Sequence, residues 1–222
     1  LVNFLMVDQR HASALSLAAV LPAAIVGAIT YGFSGHVDVL ASAFIAVGGI
    51  AGALIGTKLL RSLPLGWLRW GFVGLLLLVA VRMLIDVPEG AAAIEFTVLT
   101  VLGLIGLGLV VGIASGLFGI GGGVIIVPSL IGLFGVTELI AKGTSLLAMV
   151  PTSITGTVSN WRAKLVKPLE RLVMGVAAAL ASYPGVVVAH QLPARVSNVL
   201  FAILVLVAAV QLAFKAWRAR GK

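Results

Sequence analysis

The sequence predicts an all-α, polytopic membrane protein of two inverted repeats, with broken or re-entrant helices at a glycine-rich segment. Three observations support this fold class. Hydrophobic residues make up 61% of the chain and charged residues only 10%. Two halves of the chain match at a constant offset of 129 positions. An apolar stretch, residues 112–135, is interrupted by four glycines and a proline: Gly119, Gly121, Gly122, Gly123 and Pro128.

The composition is that of a protein that lies in a lipid bilayer. A soluble domain is about 45–50% apolar and about 25% charged, whereas this chain has a mean hydropathy of +1.21. At about 20 residues per span, 222 residues allow seven or eight spans. We interpret the net charge of +8 as loop charge and expect no nucleic-acid partner. With no cysteine and three dispersed histidines, we expect no metal site and no cofactor.

Apolar runs bounded by polar or charged residues predict the helices in chain order. The acidic loop 86–95 separates the third span from the fourth, and the glycines at 119–123 separate the fourth span from a short apolar arm. A basic tail follows the last span. The predicted spans are 12–33, 39–60, 67–85, 96–118, the arm 124–134, 141–160, 169–189 and 196–214.

The internal repeat divides the chain into a first repeat, residues 1–88, and a second, residues 89–222, within one membrane domain. Paired prolines, glycines and serines are harder to obtain by chance than paired leucines. The equivalent pairs include Ser16 with Ser145, Pro22 with Pro151, Gly27 with Gly156 and Gly56 with Gly185. The first repeat lacks a glycine break of its own, so we expect about thirty further residues upstream that contain one.

The distribution of Lys and Arg over the loops favours inverted halves over parallel ones. If the arm 124–134 changes sides, twelve of the fifteen basic residues share one face, and only Arg82, Lys142 and Arg195 lie on the other. Cytoplasmic loops carry an excess of basic residues. We therefore predict a multi-pass protein of the cell inner membrane with a cytoplasmic C-terminus.

The glycine break predicts an anion site. Opened backbone is tolerated at membrane depth only where it is buried in protein or lines a wet cavity. A half-helix that begins after Gly123 would present free N–H groups and its positive dipole end to a ligand. The alternative is that Gly119, Gly121, Gly122 and Gly123 allow tight helix packing.

Hydroxyl groups near the break are the other candidates for substrate binding. Thr144, Ser145 and the repeat partner Ser16 could donate hydrogen bonds to anion oxygens, or they could bond their own helix carbonyls. Three prolines, Pro22, Pro128 and Pro151, are interpreted as shaping the cavity.

Several other polar residues are interpreted as structural. Lys142 could draw an anion to the mouth of a cavity, but snorkelling is the default for a charge at a helix end. Tyr31 and Asn160 are interpreted as interfacial anchors. No acidic residue lies clearly in mid-span, so the sequence identifies no proton relay.

Residues 116–156, GLFGIGGGVIIVPSLIGLFGVTELIAKGTSLLAMVPTSITG, resemble the TauE/SafE sulfite-exporter family. The family pattern is a glycine cluster, then Val-Pro, then A-x-G-T-S, in each of two related halves. The second half fits closely to about residue 214. The first half departs at Ala14-Leu15-Ser16, where the second half has Gly143-Thr144-Ser145.

The resemblance implies transport of small anions, often sulfur-containing ones such as sulfite or organosulfonates. We expect a secondary transporter that alternates access, with a small anion as its substrate, the bilayer as its surroundings and a proton as a possible coupling ion. The alternatives are a passive anion channel and a non-transporting scaffold subunit. An enzyme is not expected, because the chain has no cysteine, no clustered histidines and no mid-membrane carboxylate pair to serve as nucleophile or base.

Overall fold

The computed structural model describes residues 9–62, 94–118, 121–162 and 168–218, with six further positions between 70 and 81. Every long regular element in these ranges is an α-helix. The helices are α1 (Gln9–Phe33), α2 (Val39–Ser62), α3 (Val98–Phe118), α4 (Gly123–Phe134), α5 (Glu138–Arg162), α6 (Pro168–Gln191) and α7 (Ala194–Arg218).

The observed helices agree with the predicted spans to within a turn. The largest difference is at the end of α7, which reaches Arg218 rather than residue 214. The predicted span 67–85 lies mostly outside the described residues. In the part of the chain that the structure describes, four segments are long and apolar enough to cross a membrane: Ala14–Phe33, Val39–Leu59, Val98–Leu117 and Leu172–Ala189.

The 129-residue offset recurs in the helix boundaries. Added to the bounds of α1, 9 and 33, it gives 138 and 162, which are the bounds of α5. Added to the bounds of α2, 39 and 62, it gives 168 and 191, which are the bounds of α6. The described parts of α1 and α5, and those of α2 and α6, therefore cover equivalent residues.

The repeat-related helices α1 and α5 pack against each other in opposite directions. Leu17 contacts the position of Gly156, and Leu146 contacts the position of Gly27. These two contacts are the same pair exchanged between the halves, because 17 and 146, like 27 and 156, differ by 129. Further contacts join α1 to α6 and α2 to α5, which are also equivalent pairs.

Helix α2 lies along α3, and the two run in the same direction. A Cβ at Gly48 would overlap the carbonyl oxygen of Ile105, and a Cβ at Gly56 would overlap that of Ile113. Glycines on α3 meet α2 in the same way, since a Cβ at Gly108 would overlap the carbonyl oxygen of Ile45. Small residues on both faces let the two backbones approach closely.

The short helix α4 packs back along α3 and against α5. The ring of Phe134, at the end of α4, lies 3.4 Å from a Cβ built on Gly103, near the start of α3. At its other end, Gly122 lies against Val111. Because α4 is enclosed in this way, its residues Ile126 and Leu130 are among the most deeply buried of the core.

Candidate functional site

The glycine break lies between α3 and α4. Helix α3 ends at Phe118, residues 119 and 120 lie outside the described residues, and α4 begins at Gly123. Gly121 and Gly122 have φ angles of 76° and 89°, a backbone region that residues with a Cβ rarely adopt. The chain thus needs glycine at these two positions in order to turn out of α3.

Close packing gives Gly121 and Gly122 a second reason to be glycine. A Cβ at Gly121 would lie 2.5 Å from Cγ1 of Val20 and 2.6 Å from Cε of Met149. A Cβ at Gly122 would overlap Cγ1 of Val111. At Gly123 the space is wider, because the nearest atom, Sδ of Met149, would lie 3.1 Å away. Of these three glycines, Gly123 is the one that borders a cavity.

The N-terminus of α4 lies beside this cavity. The carbonyl oxygen of Gly122 accepts hydrogen bonds from the N–H groups of Ile125 and Ile126, at 2.9 and 3.0 Å. The N–H groups of Gly123 and Val124 precede these bonds, in the part of a helix that has no acceptor within the helix itself. Both residues form part of the cavity wall.

The cavity has a volume of about 330 Å³ and lies between α1, α4, α5 and α6. Its wall is mostly apolar, and polar side chains come from each of these helices except α4. The lining residues are Tyr31, Gly123, Val124, Val127, Lys142, Ser145, Leu146, Met149, Ser182, Gly185 and Val186. A mostly apolar pocket with a few convergent polar groups is the usual form of a small-molecule site.

Lys142 supplies a positive charge to the cavity wall. Its Nζ donates a 2.7 Å hydrogen bond to Oγ of Ser197 on α7 and forms an ion pair with Glu138, one turn earlier on α5. The side chain of Lys142 is 18% exposed and that of Glu138 is 8% exposed. The ammonium group is therefore tied to two other side chains, and the interpretation of Lys142 as a snorkelling residue stays a prediction.

Two serine hydroxyls on the wall are anchored to backbone carbonyls. Ser145 Oγ donates a 2.8 Å bond to the carbonyl oxygen of Lys142. Ser182 Oγ donates a 3.0 Å bond to the carbonyl oxygen of Ala23, which ties α6 to α1. Each hydroxyl proton is therefore used within the protein, and what remains of each hydroxyl is its capacity to accept hydrogen bonds.

The structure brings only some of the predicted site residues together. Gly123 and Ser145 line the cavity, Gly121 and Gly122 form the turn beside it, and Gly119 lies outside the described residues. Ser16 is on α1 and is not part of the lining.

The predicted partner of Thr144 is an anion oxygen, whereas its partner in the structure is a backbone N–H group. Its Oγ1 accepts a 2.9 Å hydrogen bond from the N–H of Asp38, and the side chain is fully buried. Thr144 therefore holds the segment between α1 and α2 against α5.

The three prolines lie within helices, Pro22 in α1, Pro128 in α4 and Pro151 in α5. None of them lines the cavity directly. Pro22 packs against α6, with its Cγ 3.1 Å from a Cβ built on Gly175, and Pro128 is buried next to the lining residue Val127.

Sequence reasoning assigned no site role to two buried polar residues. Tyr31 and Asn160 are each 2% exposed, so their interpretation as interfacial anchors is wrong. Tyr31 lines the cavity. In the described part of the chain, the side-chain amide of Asn160 has no hydrogen-bond partner, and neither do the hydroxyls of Ser153 and Thr157 on the same helix. Ser153, Thr157 and Asn160 are spaced by four and then three residues, which places them on one face of a helix. This spacing is the feature of the sequence that indicates a polar face on α5.

Membrane-spanning helices, with a cavity that carries a few polar groups at a broken helix, are typical of polytopic membrane transporters. Comparison with family models then identifies the chain more closely. It belongs to the TauE/SafE sulfite exporter family, whose model matches residues 1–83 and 104–222. Searches among curated proteins and among solved structures found no match.

Proposed function

We propose that the protein is a secondary transporter of a small anion, such as sulfite or an organosulfonate, and that the anion binds in the cavity at the start of α4. The observation that carries the proposal is that Gly123, at the N-terminus of α4, and Lys142 line one cavity. Membership in a family of sulfite exporters supports an anion as the substrate.

The chemistry of the wall suits an anion with several oxygens. The N–H groups of Gly123 and Val124 and the helix dipole of α4 favour negative charge. Lys142 can donate a third hydrogen bond besides those to Glu138 and Ser197. Val127, Leu146 and Met149 would contact an apolar substituent of the anion. A volume of about 330 Å³ lies near the lower end of the range for ligand pockets.

The proposed mechanism is alternating access by two inverted repeats, in which α3 and α4 form a re-entrant unit. The opposite directions of α1 and α5 support the inversion, and the return of α4 along α3 supports the re-entrant unit. In such folds the site lies between the repeats, and rocking of one repeat against the other exposes it to each side in turn. The distribution of basic residues supports a C-terminus in the cytoplasm and a place in the inner membrane.

Gly185→Leu tests the site by filling the cavity. Gly185 lines the cavity, and a Cβ there would have no heavy atom of the described residues within 4 Å. Leucine is also a better helix former than glycine. We expect the variant to fold and to lose uptake of the cognate anion by proteoliposomes. Gly106→Leu on α3 is the matched control, since that position is equally open and does not line the cavity.

The substrate can be found by thermal shift of the purified protein against sulfite, thiosulfate, sulfonates and carboxylates. A bound anion stabilises the folded state at saturating concentration. Stabilisation by none of these anions would contradict the proposal and favour a scaffold role. Flux that never exceeds the imposed electrochemical gradient would favour a channel. Equal flux in Gly185→Leu and Gly106→Leu would place the site elsewhere.

A further inference from the structure

We infer that Glu138 is the site of the coupling proton, and that it acts by competing with the anion for Lys142. This inference rests on the proposed function, since it assigns the coupling ion of the same cavity. Sequence reasoning identified no proton relay because Glu138 lies in the first turn of α5, at the end of a span.

Glu138 is an enclosed carboxylate with one cationic partner described. Its side chain is 8% exposed, and its ion-pair partner is Lys142 at position i+4 of the same helix. Lys142 in turn lines the cavity, whereas Glu138 does not. An ionisable residue buried within a membrane protein is costly, and its charge must be balanced locally. The pair places one charge at the anion site and its counter-charge behind it.

Charge balance links the proton to the anion. In the empty cavity, the ammonium of Lys142 and the carboxylate of Glu138 sum to zero. With a monovalent anion beside Lys142, the anion and the two side chains together would carry one net negative charge in a medium of low dielectric. Protonation of Glu138 restores neutrality and releases Lys142 to the anion. By linkage, the anion and the proton must then each tighten binding of the other.

Other titratable groups surround this end of α5. On α1, the phenol of Tyr31 belongs to the same cavity wall as Lys142. The segment between α1 and α2 contributes His36, whose carbonyl oxygen packs at Gly143, and Asp38, whose carboxylate caps α2 through the N–H of Ala41. On α7, exposed Arg195 precedes Ser197 by two residues. His36 is the competing proton site, and the experiment therefore includes it.

The experiment measures binding of methanesulfonate, whose charge is constant between pH 5 and 8, by thermal shift and by titration calorimetry of the full chain. For the wild type we expect the apparent affinity to fall as the pH rises, by up to about tenfold per pH unit if one proton binds with each anion. Glu138→Gln mimics the protonated state. It should bind methanesulfonate at pH 8 as tightly as the wild type binds it at low pH, with no dependence on pH.

Flux in proteoliposomes gives the second readout. We expect Glu138→Gln to exchange labelled methanesulfonate across the membrane but not to accumulate it in response to a pH gradient. Glu95→Gln is the matched control, because Glu95 is exposed and precedes α3. It should keep both the pH dependence and the accumulation of the wild type.

The outcomes separate this inference from the proposed function. Failure of the wild type to bind any of the tested anions would overturn both. Binding by the wild type that does not vary with pH, or that varies equally in Glu138→Gln, would overturn the proton site alone. Loss of the pH dependence in His36→Gln, with the dependence kept in Glu138→Gln, would move the proton site to His36.

Discussion

Helices α2 and α6 occupy equivalent places in the two repeats but have different surroundings. Half of the span Val39–Leu59 of α2 is buried, against 11% of the span Leu172–Ala189 of α6. The cause is α3, which covers the glycine face of α2. The face of α6 at the same register carries Ala177, Ala181 and Gly185, and the last of these borders the cavity.

The comparison shows that a small residue at one register position can serve two purposes. On α2 it admits another backbone, since a Cβ at Gly52 would overlap the carbonyl oxygen of Leu109. On α6 it leaves room for a cavity. Small residues permit close helix packing wherever a neighbouring helix is present. The presence or absence of a neighbouring helix therefore decides whether the small residue serves close packing or leaves space for a cavity.

The largest expected difference is between Gly56→Leu and Gly185→Leu, which alter equivalent positions. At Gly56 the new side chain would meet the backbone of Ile113, which cannot move aside as a flexible side chain can. We expect a loss of stability of about 3 kcal/mol or more. At Gly185 we expect a loss of less than about 1 kcal/mol, because the position is open. Thermal unfolding in detergent measures both, and equal losses would contradict the comparison.

A smaller difference is expected between Gly48→Ala and Ala177→Gly, which alter the equivalent positions about two turns earlier on the same two helices. Even the single methyl group at position 48 would overlap the Ile105 carbonyl oxygen and force α2 away from α3. We expect Gly48→Ala to cost about 1–3 kcal/mol. Ala177→Gly removes no such contact and should cost about 0.5–1 kcal/mol through helix propensity. Denaturation with SDS gives the two values, and a milder effect at 48 than at 177 would be the contrary result.

The smallest expected effect concerns the bond that attaches α6 to α1. Ser182→Ala removes the hydrogen bond from Oγ to the carbonyl oxygen of Ala23, and alanine is the residue that α2 has at the equivalent position, Ala53. We expect a loss of about 0.5–1.5 kcal/mol. Because Ser182 also lines the cavity, the substitution should change the affinity for the anion as well as the free energy of unfolding. Thermal shift with and without the anion separates these two effects, and an unchanged melting temperature would show that the bond contributes nothing.

The helices and the break could be predicted from local signals. Apolar runs of spanning length fixed the helices, and Gly121 and Gly122 indicated the turn because only glycine tolerates such backbone without strain. The family pattern around residues 116–156 was also visible. The expectation of a further glycine-rich segment upstream and the ligand role of Ser16 stay predictions.

The walls of the site could not be predicted in the same way. Tyr31, Lys142 and Ser182 belong to three helices and meet only through packing. Thr144 and Ser145 are neighbours in sequence, yet one binds the N–H of Asp38 and the other faces the cavity. Residues one apart on a helix point in different directions, and the sequence alone does not say which direction is the cavity.

The sequence by itself determined that the chain is helical, lies in a membrane, repeats at an offset of 129 and breaks at its glycines. These features follow from hydropathy and from the backbone freedom of single residues, both of which are local. The tertiary structure decided that Gly48 supports a helix while Gly185 borders a cavity, and that Lys142 forms an ion pair with Glu138. Those outcomes depend on which helix lies alongside, because burial and close approach are properties of pairs of helices.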